Sequence, residues 1–229
     1  IFNQIRTFDS NAYVILEHFA DNLEEKELGD YGMMLWANAK FDMTKIIQAY
    51  STNYDWISYK KRGFTKPHLV NYIESHDEER LMVEIASSAA RKVFNAGEKL
   101  DRMKMAAALF YSIPGPKMIW QFGEFGYDQE LNNDRLGIKP TRWEYLSNPD
   151  RLRLSKLYKE MFKLRAKYPV FNFPSDASLN LSSSLKTIHL QHPDLQVFMF
   201  GNFELVSQGN LSISFPKTGK WYNYFTGKE

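Results

Sequence analysis

Tyr72-Ile73-Glu74-Ser75-His76-Asp77-Glu78-Glu79-Arg80 is the stretch on which the fold turns. The apolar and β-branched run from Leu69 to Ile73 ends in a dense cluster of ionisable groups. An apolar strand closing on His76-Asp77 places that pair at the strand's carboxyl end. In parallel α/β sheets and barrels, chemistry is done at that end. A second copy lies upstream, where Tyr13-Val14-Ile15-Leu16 is followed at once by Glu17-His18. Two apolar strands, each tipped with a carboxylate, predict a two-carboxylate active site.

The chain has 229 residues, 44% of them hydrophobic, enough for a substantial core. Its 29 basic and 27 acidic residues nearly cancel, to a net charge of +2. A general nucleic-acid binder needs a concentrated basic surface, so that class is excluded. No run of 18 apolar residues exists, so no membrane segment is expected. Absence of cysteine excludes disulfides, thiolate metal sites and cysteine nucleophiles. The 17 Phe, 13 Tyr and 5 Trp are read mainly as core.

Periodicity outlines the elements around the two strand tips. Residues 1–8 read as the tail of an amphipathic helix, 12–18 as a buried strand and 20–31 as polar loop with a short helical piece. A second strand is expected over 33–37. Ile46, Ile47, Tyr50 and Tyr54 suggest a helix face. Residues 60–67 form a basic loop, with Lys60-Lys61-Arg62 solvated. The third strand covers 68–74. A helix over 98–112 is stopped by Ile113-Pro114-Gly115-Pro116, and a fourth strand follows from Lys117 to Gln121. Residues 122–149 make a long loop, and 150–167 a helix.

Past Tyr168-Pro169 the texture changes to short alternating strands at 185–191, 196–203, 210–215 and 220–225. The expected organisation is therefore α/β over 1–168, with four βα units, then a small antiparallel β domain over 169–229. Four units is half of an eight-fold barrel. A barrel of roughly 250 residues spends about 31 on each unit, which fits the spacing of Glu17 and Asp77 with one strand between them. Abrupt ends at Ile1 and Glu229 suggest a fragment.

These segments together resemble the α-amylase family of glycoside hydrolases. Tyr72 to Asp77 is similar to its fourth signature region, with Ser75 where Asn is usual. Tyr13 to Glu17 is similar to the third, at the end of the fifth barrel strand. Gly115-Pro116-Lys117-Met118-Ile119-Trp120-Gln121-Phe122-Gly123-Glu124-Phe125-Gly126 resembles the eighth strand and its loop. Lys139-Pro140-Thr141-Arg142-Trp143-Glu144-Tyr145 resembles a segment of gut Bacteroidetes relatives. Trp221-Tyr222-Asn223-Tyr224-Phe225-Thr226-Gly227 resembles the family's C-terminal β domain. The resemblance implies the C-terminal half (strands 5–8) of a (β/α)8 TIM barrel, followed by a partial antiparallel β domain. The family's nucleophilic aspartate and its calcium-bearing inserted domain would lie upstream.

The resemblance also implies roles. Glu17 is the expected general acid/base of a retaining α-glucan hydrolase, which must hold its proton through burial or neighbouring negative charge. Asp77 is the expected transition-state stabiliser. His76, Trp36 and His18 are the expected substrate-binding residues, with structural roles weighed equally for His18 and more heavily for Trp36. Arg80 is expected to orient the cluster through an ion pair, and Glu78 and Glu79 to be solvated. His68, His189 and His192 are read as lying outside the catalytic site.

Asp128, Glu130, Asn132 and Asp134 alternate like a calcium loop, but Asn133 and Lys139 break the EF-hand pattern. No metal site and no cofactor is expected in this chain, with structural calcium left to the full-length protein. The chain by itself is expected to be inactive. Alternatives are a branching-type transglycosylase and a non-catalytic sugar-binding or scaffold protein. The expected partner is an α-glucan, with no nucleic acid, and self-association is expected through the open barrel edges. Secretion or a periplasmic location is expected by resemblance.

Overall fold

The computed structural model describes residues 1–87, 89–131, 134–209 and 214–229. A parallel sheet has the order β1 (Ile15–Leu16), β2 (Met34–Asn38), β3 (Leu69–Tyr72). Ile15 pairs with Met34, Leu35 with Leu69 and Asn38 with Tyr72. One face of this sheet carries Leu16, Leu35, Ala37 and Leu69, which pack with Leu28, Tyr59 and Phe64. The helices are α1 (Phe2–Phe8), α2 (Asn22–Tyr31), α3 (Lys40–Ile47), α4 (Leu81–Glu84), α5 (Ala96–Ser112) and α6 (Pro149–Lys167). No helix among the described residues is long and apolar enough to cross a membrane.

Local chemistry sets the boundaries. Asp21 caps α2 by accepting from the Leu23 and Glu24 amides, and Gly32 ends it at φ 127°. The polar segment is thus a continuous helix rather than a loop with a helical piece. Helix α5 begins with a reciprocal capping box between Asn95 and Glu98. Asn148 caps α6, with Pro149 at its first position. Helix α3 stops at Ile47, and Ala49 turns left-handed at φ 68°. The stripe from Ile46 to Tyr54 is therefore not one helix face. Tyr54 is buried beyond the break, while Tyr50 is exposed.

Two strand expectations for the parallel sheet change. The expected buried strand at 12–18 pairs over only two residues, and Ile15 is 38% exposed. It is an edge, with β2 as its one neighbour. The fourth strand shrinks to a parallel bridge between Asn71 and Lys117. The Asn71 amide donates to Pro116 O at 3.2 Å and Met118 N donates to Asn71 O at 2.9 Å. Beyond that, Phe122 adopts φ 57° and the chain turns away. Arg62, expected to be solvated, is buried against Glu25 and donates to Asn22 Oδ1 at 2.8 Å.

The second sheet is antiparallel, in the order β4 (Asp176–Asn180), β5 (Leu185–His192), β6 (Leu195–Asn202). A tight turn at Pro193-Asp194 joins β5 to β6. Residues 220–225 are not a strand. Asn223 Oδ1 accepts from the Phe225 and Thr226 amides, and Gly227 N returns to Asn223 O, which closes a turn. Of the strand expected at 210–215, residues 210–213 lie outside the described residues.

One core runs through both parts of the chain. Met103, Leu109 and Phe110 of α5 and Leu154 of α6 share it with Phe171, Ile188 and Leu190. Buried cations add polar ties. Arg102 donates to Ile47 O at 3.0 Å, to Ile46 O and to Phe203 O at 2.6 Å. Lys186 of β5 donates to Thr52 O, Leu181 O and Ser183 O at 2.8, 2.7 and 3.1 Å.

Burial pulls the Lys186 ammonium down from 10.5 to about 8. Between those values the unfolded chain binds a proton that the folded chain does not. Stability contributed by this group therefore rises as pH rises through that window. Lys186→Met should flatten the rise of the urea midpoint between pH 8 and 10.5. Equal pH slopes in both proteins would show that Lys186 is not the titrating group.

Candidate active site

The carboxyl ends of β1, β2 and β3 carry Glu17, Trp36 and, just past β3, His76 and Asp77. Side chains alternate faces along a strand. Glu17 therefore continues the face of Ile15, which the register shares with Met34, Trp36, Asn38, Val70 and Tyr72. Trp36 meets Tyr72 edge to face, with ring centroids 5.9 Å apart. Tyr72 is buried, and burial pushes its phenol upward, reinforced by the nearby negative charges of Glu78, Glu17 and Asp77. Burial and these negative charges together keep the phenol protonated.

The turn after β3 is built by its own side chains. The Asp77 amide donates to Ser75 Oγ at 3.1 Å, and Ser75 Oγ donates to Glu78. Asn38 Nδ2 donates to Glu78 Oε1 at 2.6 Å. Glu79 accepts from the Arg80 amide at 2.8 Å and, through its other oxygen, from Leu131 N at 2.9 Å. Glu78 and Glu79 are therefore partnered rather than solvated, because the turn and the long loop supply donors at short range.

Beneath this turn lies a buried ion pair. Glu74 and Arg80 are 4% and 2% exposed, and Arg80 Nη2 reaches Glu74 Oε2 at 3.2 Å. Glu74 Oε1 also accepts from Leu81 N at 2.9 Å, and Arg80 donates to Gln121 O at 2.7 Å. The guanidinium lies 4.5 Å over the Tyr127 ring. Gly123 makes room for the pair, since a Cβ there would sit 2.8 Å from Glu74 Oε2. Arg80 thus has the expected ion-pairing role, with Glu74 as its partner.

Asp77 faces outward, with Arg135 Nη2 at 2.8 Å and His76 Nε2 at 3.4 Å from its Oδ1. The Arg135 guanidinium holds the Asp77 carboxyl below the usual carboxylate range. His76 is exposed, its ring 6.0 Å from Trp120. His18 lies 2.7 Å from Glu24 Oε1 at the start of α2. Trp36 is half-buried. Glu17, expected to be buried, is exposed at the edge of the sheet. An apolar groove of about 670 Å³ lies on the α6 side of residues 119–124, lined by Trp120, Tyr158 and Phe162.

Sequence reading overlooked Tyr72, Asn38 and Arg135 as site residues. Alternation from Trp36 points to Asn38, and the strand register then gives Tyr72. Arg135 carries no local signal, because only folding brings it to Asp77. Among the described residues, no group of three or more His, Asp or Glu side chains could hold a metal ion. Asn132 and Asn133 of the calcium-like pattern lie outside the described residues.

No family model matches the chain, and no curated protein matches it in sequence. Solved structures do share its fold. The type III pullulan hydrolase of Thermococcus kodakarensis superposes with a TM-score of 0.64 at 16% identity, covering 88% of this chain and 35% of its own. An Anoxybacillus α-amylase gives 0.65 at 16%, covering 88% and 43%. The cyclic α-maltosyl-(1→6)-maltose hydrolase of Arthrobacter globiformis, solved with that sugar, gives 0.59 at 16%, covering 87% and 43%. The chain thus spans less than half the length of these structures, and over most of its own length it has the fold of α-amylase-type enzymes.

Removing one partner of a buried ion pair strands the other charge, at a cost of about 3–5 kcal/mol. Arg80→Met should therefore lower the urea midpoint strongly, whereas Glu17→Gln, at an exposed site, should leave it nearly unchanged. A large loss with Glu17→Gln in the same measurement would assign Glu17 to structure.

Proposed function

We propose that this chain is the C-terminal half of a retaining α-glucan glycoside hydrolase of the α-amylase family. Residues 1–168 would supply strands five to eight of the barrel, and 169–229 part of the C-terminal β domain. The observation that carries the proposal is the placement of Glu17 and Asp77 just past the carboxyl ends of β1 and β3 in a parallel sheet, with Asn38 at the end of β2 hydrogen-bonded to Glu78. The likeness in fold to solved α-glucan hydrolases supports it.

In this reading Glu17 donates a proton to the glycosidic oxygen as the bond to the anomeric carbon breaks. A carboxylate from the strand before β1 takes that carbon and forms the glycosyl-enzyme. Glu17 then removes a proton from the water that releases the sugar. Asp77 accepts hydrogen bonds from ring hydroxyls and stabilises the positive charge developing at the anomeric carbon. His76 donates to the same ring, and Trp36 and Tyr72 form the floor beneath it. His18, drawn toward Glu24, borders the leaving-group side. A structural calcium, where the full-length protein has one, would be held outside these residues.

Two measurements test the reading. In the full-length protein, Glu17→Gln should cut reducing-end release from amylose by about 10²- to 10⁴-fold. Undiminished activity would refute the acid/base assignment. The chain alone presents β1 as an open sheet edge and should therefore associate with a second copy. A monodisperse mass of 26.9 kDa by light scattering would count against that association.

A further inference from the structure

We infer that Arg135 is a positioning residue for Asp77, brought into the site by the long loop before α6. The inference rests on the reading of Asp77 as an acceptor of sugar hydroxyls. Arg135 Nη2 donates to Asp77 Oδ1 at 2.8 Å, and His76 Nε2 lies 3.4 Å from the same oxygen. Both neighbours sit on one oxygen. Among the described residues, no group donates to Oδ2. With the Asp77 side chain 30% exposed, the carboxylate is fixed on one side and open on the other. A bidentate guanidinium would have occupied both oxygens and left neither for a ligand.

The loop is shaped to present this side chain. Its near end is tied to the site by the Leu131 amide, which donates to Glu79 Oε2 at 2.9 Å. Its far end is tied by Tyr127 Oη, which donates to Pro140 O at 2.9 Å. Between these ties, Lys139 Nζ folds back onto Arg135 O and onto Gly137 O at 2.8 Å. The tip therefore holds a closed conformation without apolar packing of its own, and Leu136 and Ile138 point into solvent. Arg135 is 63% exposed, so its remaining donors are free to meet a ligand bound over Asp77. The other charges facing Asp77 are His76 of its own turn and Lys139 of the loop, while Glu78 faces Arg135.

The test uses the 229-residue chain with carboxyl-labelled aspartate. The Asp77 signal is titrated by carbon NMR in the parent, in Arg135→Ala and in Arg135→Lys. The Asp77 midpoint should rise in Arg135→Ala and return in part in Arg135→Lys. An identical midpoint in parent and Arg135→Ala overturns the proposal. Maltotriose is then titrated into the full-length protein and into its Arg135→Ala and Arg135→Lys variants, because the chain alone supplies only half of the proposed site. Affinity should fall about two- to five-fold in Arg135→Ala, the scale of one exposed ion pair, and recover in part with lysine. Tighter binding by Arg135→Ala also overturns it, because Arg135 would then be an obstruction. A midpoint shift with no maltotriose binding by any of the three supports the pairing and overturns the α-glucan reading instead.

Discussion

The Glu74–Arg80 pair is the constraint on which the site's geometry depends. Burying two charges is expensive, and further hydrogen bonds offset part of that expense, although the buried Arg80 Nε has no partner among the described residues. Here the added partners are the Leu81 amide, the Gln121 carbonyl and the face of Tyr127. Each of these belongs to a different piece of chain. Satisfying one ion pair therefore fixes the turn after β3, the start of α4, the segment after the Lys117 bridge and the root of the long loop. Asp77 and His76 sit on the span between the two charges, so their positions follow from it.

The same device recurs with carbonyls in place of carboxylates. Arg165 of α6 donates to Tyr111 O at 2.9 Å, to Gly115 O and to Asn172 Oδ1, and burial draws its pKa down to about 10. Lys117 Nζ meets the carbonyls of Pro114 and Gly115 at 3.3 and 3.0 Å. With Arg102 and Lys186, these cations cap helix ends and loop backbones whose carbonyls would otherwise be buried without donors. They tie the parallel sheet's helices to the antiparallel sheet, where one apolar core already runs between them. A dipole-rich but uncharged cage costs the cation its hydration, which is why burial lowers the affinity of Lys186 and Arg165 for their protons.

What was legible in the sequence was local. The run from Leu69 to Asp77 announces a strand and a chemical tip, and the stripes of α5 and α6 announce helices, although their caps at Asn95 and Asn148 went unread. What was not legible depends on neighbours. The segment at 12–18 has the composition of an inner strand, but with one neighbour it pairs over two residues. β4, reading Asp-Ala-Ser-Leu-Asn, has weak strand propensity and forms because Ala177 and Leu179 alternate onto the core. Residues 220–225 have strong propensity, yet the Asn223 side chain captures the backbone first. In the site, alternation carried Glu17, Trp36 and Tyr72 to one face. The long-range partners Arg135 for Asp77 and Gln121 for Arg80 leave no periodic trace.

The electrostatic character of the candidate site follows from this division of labour. The positive charge nearest the strand tips is split between a buried guanidinium, spent on Glu74, and an exposed one resting on Asp77. Glu78 takes its donors from neutral groups, Asn38 and Ser75, beside Tyr72. The face of the sheet that carries Trp36 and Tyr72 thus meets negative charge around a protonated phenol, with the exposed Arg135 at its rim. A neutral polyhydroxylated ligand suits such a surface, because its hydroxyls can donate to the carboxylates while its apolar ring face lies against Trp36.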